Sequence, residues 1–239
     1  MVDVALDDDV AVITIDRPHA RNAIAPATMD ELDTAIDAVA GAKALVIRGA
    51  GDRAFVSGGD LKELSAVRTE DDAAAMARRM RQVCDRLASF PAPVIAALNG
   101  HAFGGGAEVA VAADIRVAAD DIKIGFTQVT LAIMPAWGGA ERLAALIGRG
   151  RALMLAGAGT VLDAAEAYRI GLVDQVLPRA TFEQGWRALA RSLANDSARE
   201  IKRVTAGAAT PEEATQAFAR LWAADAHWAA AERVMNRGK

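Results

Sequence analysis

The spacing of apolar residues changes along the chain, and each change marks a new element. DVAVITIDR, 9–17, is a short run rich in β-branched side chains, which predicts a strand. PHARNAIAP, 18–26, ends that run and reads as an irregular connection. Pro26 can open a helix, because a proline at the first helical position forfeits no hydrogen bond. Met29, Leu32, Ile36 and Val39 then share one face. AKALVIRG, 42–49, is a second strand, and glycine-rich GDRAFVSGGD, 51–60, is a loop entering a short helix. Met76, Met80, Val83 and Leu87 mark a long helix over 71–90 that ends at FPAP. VIAALNG (94–100), IRVAAD (115–120) and IKIGF (122–126) read as strands, and AEVAVAAD (107–114) as a buried helix. Strands that alternate with helices predict an α/β protein with crossover connections.

Beyond residue 140 the pattern turns helical. GGAERLAALIG and TVLDAAEAYRIG read as helices stopped by Gly148 and Gly171, LVDQVLP as a short strand, and 181–239 as mostly helix. Thr210-Pro211-Glu212-Glu213 combines a cap, a proline at the first helical position and a glutamate at the third. We expect a core over 1–176 and a C-terminal helical region over 177–239 that packs, oligomerises and closes the site.

Composition narrows the function. Apolar residues make up 53% of 239, which argues for a packed core and against disorder. A net charge of −4 gives no global field for nucleic acid, so an anionic ligand needs local cations. No run reaches the roughly 18 apolar residues that span a membrane. The acidic start, MVDVALDDDVAVITID, does not read as a secretory signal. The expectation is a cytoplasmic protein with no membrane or nucleic-acid partner. Cys84 stands alone, which excludes an intrachain disulfide and a cysteine-cluster metal site, and His19, His101 and His227 are scattered. No metal is expected.

One stretch holds candidate chemistry: NGHAFGGGAEVAVAAD, 99–114. Gly104, Gly105 and Gly106 precede a helix, and unpaired N–H groups at a helix start attract negative charge. SGGD, 57–60, offers a second such site. Together the two loops suit an oxyanion hole, or they are simply tight turns with close packing. Glu108 lies in the first turns of that apolar helix. Burial would raise its pKa and the helix start would oppose the rise, giving a proton-transfer group near neutrality; a solvent-facing residue of the first turn is the alternative. GHAFGGGAE lacks Gly-Lys-Ser/Thr and the dinucleotide spacing, no serine sits in Gly-x-Ser-x-Gly, and no His-Glu-x-x-His occurs.

With these segments in view, the chain resembles the crotonase superfamily of enoyl-CoA hydratases and isomerases. IDRPHARNAI, RAFVSGGDLKEL, PAPVIAALNGHAFGGGAEVAVAADIRVAAD, IGFTQVTLAIMPAWGGAERL and AAEAYRIGLVDQVLP match in order and spacing over roughly 8–235. The resemblance implies a crotonase-like spiral of β-β-α units with a C-terminal helical region, assembled as a homotrimer or a dimer of trimers. It implies an acyl-CoA thioester as substrate, with coenzyme A part of that substrate and no separate cofactor. It assigns the oxyanion hole to the N–H groups of Gly59 and Gly105, and the water-activating base to Glu108. It places the coenzyme A contacts at His19, Ala20, Arg21 and Ala23 and at Ser57, Asp60, Leu61 and Lys62. Arg21 stands where the family often has leucine or methionine, and either meets a phosphate or is a solvated surface charge.

Two departures bear on the reaction. The family's second catalytic glutamate is Gln128 here, and glutamine exchanges no proton as a carboxylic acid does. Met134-Pro135-Ala136-Trp137 replaces the usual Ile-Pro-Gly-Ala; Met134, Pro135, Trp137 and Gly138 are expected at the acyl pocket, with ordinary core packing the alternative for the Trp137 ring. The expected activity is hydration of a 2,3-unsaturated acyl-CoA. The alternatives are decarboxylation of a malonyl-type thioester, double-bond isomerisation, or a non-catalytic coenzyme A binder.

Overall fold

The computed structural model describes residues 1–236. Ten strands are present there: β1 Val2–Asp7, β2 Val10–Ile15, β3 Ala44–Gly49, β4 Ala54–Val56, β5 Val94–Leu98, β6 His101–Phe103, β7 Ile115–Ala119, β8 Lys123–Gly125, β9 Val161–Asp163 and β10 Gln175–Leu177. The helices of the first part are α1 Pro26–Ala38, α2 Glu70–Ala88, α3 Gly105–Ala110, α4 Gly139–Ile147, α5 Arg149–Ala158, α6 Ala164–Arg169 and α7 Phe182–Leu193. Those of the last part are α8 Asp196–Thr205, α9 Pro211–Ala223 and α10 Asp225–Asn236.

The strands form two sheets, one in the order β1-β2-β3-β5-β7-β10 and one in the order β4-β6-β8-β9. β2 through β10 of the large sheet pair in parallel, as do β4, β6 and β8 of the small one. Successive units therefore repeat one step: a strand in the large sheet, a strand in the small sheet, then a helix. β3-β4-α2 and β5-β6-α3 show it most clearly. This is the spiral of β-β-α units that the resemblance implies. β2, β3 and β5 are nearly all buried, as strands of a parallel sheet covered on both faces should be.

Local chemistry accounts for the element ends. Thr69 caps α2, its Oγ1 accepting from the Asp72 amide at 3.1 Å. Thr210 and Glu213 close the expected capping box on α9, with Thr210 N donating to Glu213 Oε2 at 2.7 Å. Two expectations change, and one strand forms where none was expected. TVLDAAEAYRIG is not all helix: Val161–Asp163 pairs antiparallel with β8, and the Asp163 carboxylate then caps α6 by accepting from Glu166 N. The helix expected over 107–114 begins at Gly105 and ends at Ala110. Residues 2–7 form an exposed edge strand on β2, with too little burial to show as a one-sided alternation.

The chain divides into two compact units, Met1–Ala194 and from Asn195 on. α7 packs against β3 and β7, so it goes with the sheets and not with the later helices; the boundary lies after Ala194, where the sequence suggested 176/177. The second unit holds α8, α9 and α10, with α9 touching both of the others. No helix of the described residues is long and apolar enough to cross a membrane.

Candidate active site

The site is built where β4 and β6 of the small sheet run into loops. Each of the three consecutive glycines has its own reason. Gly104 has φ of +54°, a backbone conformation that side chains disfavour. A Cβ on Gly106 would lie 1.8 Å from the Val56 carbonyl oxygen, so β4 and α3 can approach this closely only through glycine. A Cβ on Gly105 would lie 2.1 Å from Cζ3 of Trp137.

The second glycine loop comes to the same place. Ile24 pairs across Gly59, with Ile24 N donating to Gly58 O and Asp60 N donating to Ile24 O, each at 2.8 Å. In a parallel pairing of this kind the middle residue turns its own N–H to the opposite side. A Cβ on Gly58 would come within 3.5 Å of Gly105 N, so the two loops are adjacent. Among the described residues, neither the Gly59 N–H nor the Gly105 N–H has a hydrogen-bond acceptor.

Glu108 is 2% exposed. Trp137 N and Gly139 N donate to its Oε2 at 2.7 and 3.0 Å, and Gln128 Nε2 donates to its Oε1 at 2.8 Å. Burial raises its pKa above the ordinary glutamate value, and these donors oppose the rise without cancelling it. Of the two readings open in the sequence, the solvent-facing residue is therefore excluded.

Gln128 opens a single turn of tight helix, Gln128–Leu131, and is itself buried. Its orientation follows from its partner, since an amide oxygen in place of Nε2 would face a carboxylate oxygen. The consequence is that Gln128 Oε1 is buried with no hydrogen-bond partner, the only side-chain atom in that condition among the described residues. A buried unpaired acceptor is costly, and in a native fold it calls for an explanation.

The other assigned residues divide. Trp137, Gly138 and Pro135 are buried, whereas Met134 is 70% exposed and stands outside the group around Glu108. The 18–24 connection runs beside the 57–60 loop, joined by the Ile24 pairing and by Ser57 Oγ donating to Ala20 O. Ala23 is buried there, Ala20 is half-buried, and His19, Arg21, Leu61 and Lys62 are exposed. Asp60 faces protein groups: Arg17 Nη2 donates to it at 3.0 Å, and the Lys62 and Glu63 amides donate to its other oxygen. Burial alone would raise the Asp60 carboxyl, but these donors hold it below its ordinary value. Arg17 also donates to Ala23 O at 2.6 Å and so ties both loops together. Sequence reading missed Arg17, whose partners lie up to 46 residues away. It also missed the Trp137 and Gly139 amides, since backbone donors carry no residue signature.

A family model described as enoyl-CoA hydratase/isomerase matches residues 6–230. The chain is 39% identical over 176 residues to a protein of Bacillus subtilis described as a probable enoyl-CoA hydratase, covering 72% of this chain and 67% of that one. It is 35% identical over 200 residues to the short-chain-enoyl-CoA hydratase of Clostridium acetobutylicum, covering 81% and 75%. The crystal structure of an enoyl-CoA hydratase from Bacillus anthracis superposes with a TM-score of 0.84 at 32% identity, covering 92% of this chain and 89% of the other.

Proposed function

The chain belongs to the enoyl-CoA hydratase/isomerase family, and from that premise we propose that it adds water across the 2,3 double bond of an acyl-CoA thioester. One observation carries this reading: a buried carboxylate fixed by three hydrogen bonds stands beside two loops whose glycine N–H groups lack acceptors. The thioester oxygen accepts from Gly59 N–H and Gly105 N–H. Ionised Glu108 takes a proton from water as the water oxygen bonds to the β-carbon. The double-bond electrons move to the α-carbon and the thioester oxygen, where the two N–H groups stabilise the enolate. Glu108 then returns the proton to the α-carbon, and the balance closes as one water added. Gln128 supplies no proton. Its amide orients Glu108, and its unpaired Oε1 accepts the second O–H of the attacking water.

A second reading draws on the same glutamine. With a single carboxylate available, Glu108 can move a proton from the α- to the γ-carbon and shift the double bond, or the oxyanion hole can receive the enolate left by loss of carbon dioxide. Mass analysis separates the readings. Crotonyl-CoA in heavy-oxygen water should gain one labelled water. Loss of carbon dioxide from methylmalonyl-CoA, or conversion of a 3-enoyl-CoA without hydration, would replace the hydratase reading. Exposed Val129 and Leu131 lie beside α5, whose Leu153 and Met154 are about 70% exposed. An apolar surface of this kind supports assembly of copies of this chain as a trimer or dimer of trimers. Light scattering that finds only monomer would refute it.

A further inference from the structure

Trp137 is the largest side chain at the candidate site, and its ring reaches both oxyanion glycines. A Cβ on Gly105 would lie 2.1 Å from Cζ3 and 2.4 Å from Cη2, so the indole rests directly on that backbone. A Cβ on Gly59 would lie 4.0 Å from Cζ2 of the same ring. The residue is 7% exposed and held at both ends: its N–H donates to Glu108 Oε2, and its carbonyl accepts from Arg142 Nη1 at 3.2 Å. One residue thus carries an amide that fixes the base and a ring packed against Gly105 and close to Gly59.

On the acyl-CoA reading above, the thioester oxygen sits at the two glycine N–H groups and the β-carbon faces Glu108. The acyl chain then runs from the glycines that the indole packs against to the carboxylate held by the same residue's amide. Carbons beyond the β-carbon meet the ring. We infer that Trp137 determines acyl length, restricting the substrate to thioesters whose chain ends at or just beyond the β-carbon. The inference rests on that reading and names its substrate class. A well-packed enclosed ring yields poorly, because extra methylenes in filled space force neighbouring side chains off their preferred rotamers.

Leu64 marks the competing route. A Cβ on Gly59 would lie 2.8 Å from Leu64 Cδ1, and Leu64 also lines an apolar cavity of about 340 Å3 with Met29, Val67 and Met76. A longer chain directed there would bypass Trp137.

Calorimetric binding of butanoyl-CoA and decanoyl-CoA, both saturated and unable to take up water, decides between them. The wild type should bind butanoyl-CoA at least ~10-fold more tightly, the discrimination a filled apolar pocket gives per methylene or more. Trp137→Ala keeps the main-chain N–H on Glu108 and should abolish the preference. Trp137→Phe should reduce it, and serves if the alanine variant does not fold. Equal binding by the wild type overturns the inference. So does an unchanged preference in a folded Trp137 variant, or a preference lost in Leu64→Ala alone. Failure of the wild type to bind either thioester overturns the acyl-CoA reading itself, and this inference with it.

Discussion

Glu108→Gln tests the base and its environment together. The replacement keeps the shape and the hydrogen bonds. Trp137 N and Gly139 N both donate to one oxygen of Glu108, which the amide oxygen can replace. The new NH2 group stands where Oε1 was, opposite Gln128, whose amide turns over to present its own oxygen. Three hydrogen bonds survive, and one polar atom of Gln128 stays unpaired as before. What disappears is a buried charge and the ability to take a proton. Loss of a general base should lower kcat by about 10²–10⁴-fold, or ~3–5 kcal/mol in activation free energy.

Stability should move the other way. Burial raises the Glu108 pKa, so the native state binds that proton more tightly than the unfolded chain does. Stability of the wild type is therefore lost through this group as pH rises above the ordinary glutamate value of 4.5. The glutamine variant escapes that loss. Its advantage in urea unfolding should be absent below that pH, grow above it, and level off once Glu108 is fully ionised. Hydration of crotonyl-CoA followed by loss of enoyl absorbance gives the activity arm. Turnover within tenfold of wild type, with native circular dichroism, would remove Glu108 from the chemistry. A stability difference independent of pH would mean that the Glu108 pKa is not raised in the folded state.

Gln128→Glu should speed hydration at a pH where the two adjacent carboxyls share one proton, measured as a kcat profile; no gain in a folded variant would show that proton supply is not limiting. Gly105→Ala should drive the Trp137 ring off its seat, costing roughly 1–3 kcal/mol of stability by thermal unfolding and ~10²-fold in turnover through misplacement. An unchanged enzyme would mean the ring moves freely. Arg116 is 2% exposed, donates to the carbonyls of Leu172 and Ala113, and pairs with Asp174. Arg116→Ala should destabilise by about 3–5 kcal/mol by urea unfolding, and lysine should not restore it, having no planar fork for several carbonyls at once.

The sequence by itself determined most of the elements and the chemistry at their ends. Apolar periodicity located β2, β3, β5, β7, α1 and α2, and Thr210 and Glu213 announced the start of α9, because these signals are local. The short strands β4, β6 and β9 carried too few residues for a period, and only their pairing in the small sheet defines them. Gly105 and Glu108 stood out as a glycine run and a lone acid in apolar surroundings. Their resemblance to a family's motifs named roles that spacing alone left open. The tertiary structure alone decided that Glu108 is buried and that the Trp137 and Gly139 amides hold it from 29 and 31 residues away. It alone brought Arg17 to Asp60, laid the indole on Gly105, and left Gln128 Oε1 buried without a partner. The physical reason is the same in each case. A hydrogen bond or a van der Waals contact acts over a few ångströms of space, and only the closed spiral of strands brings residues so distant in the chain within that range.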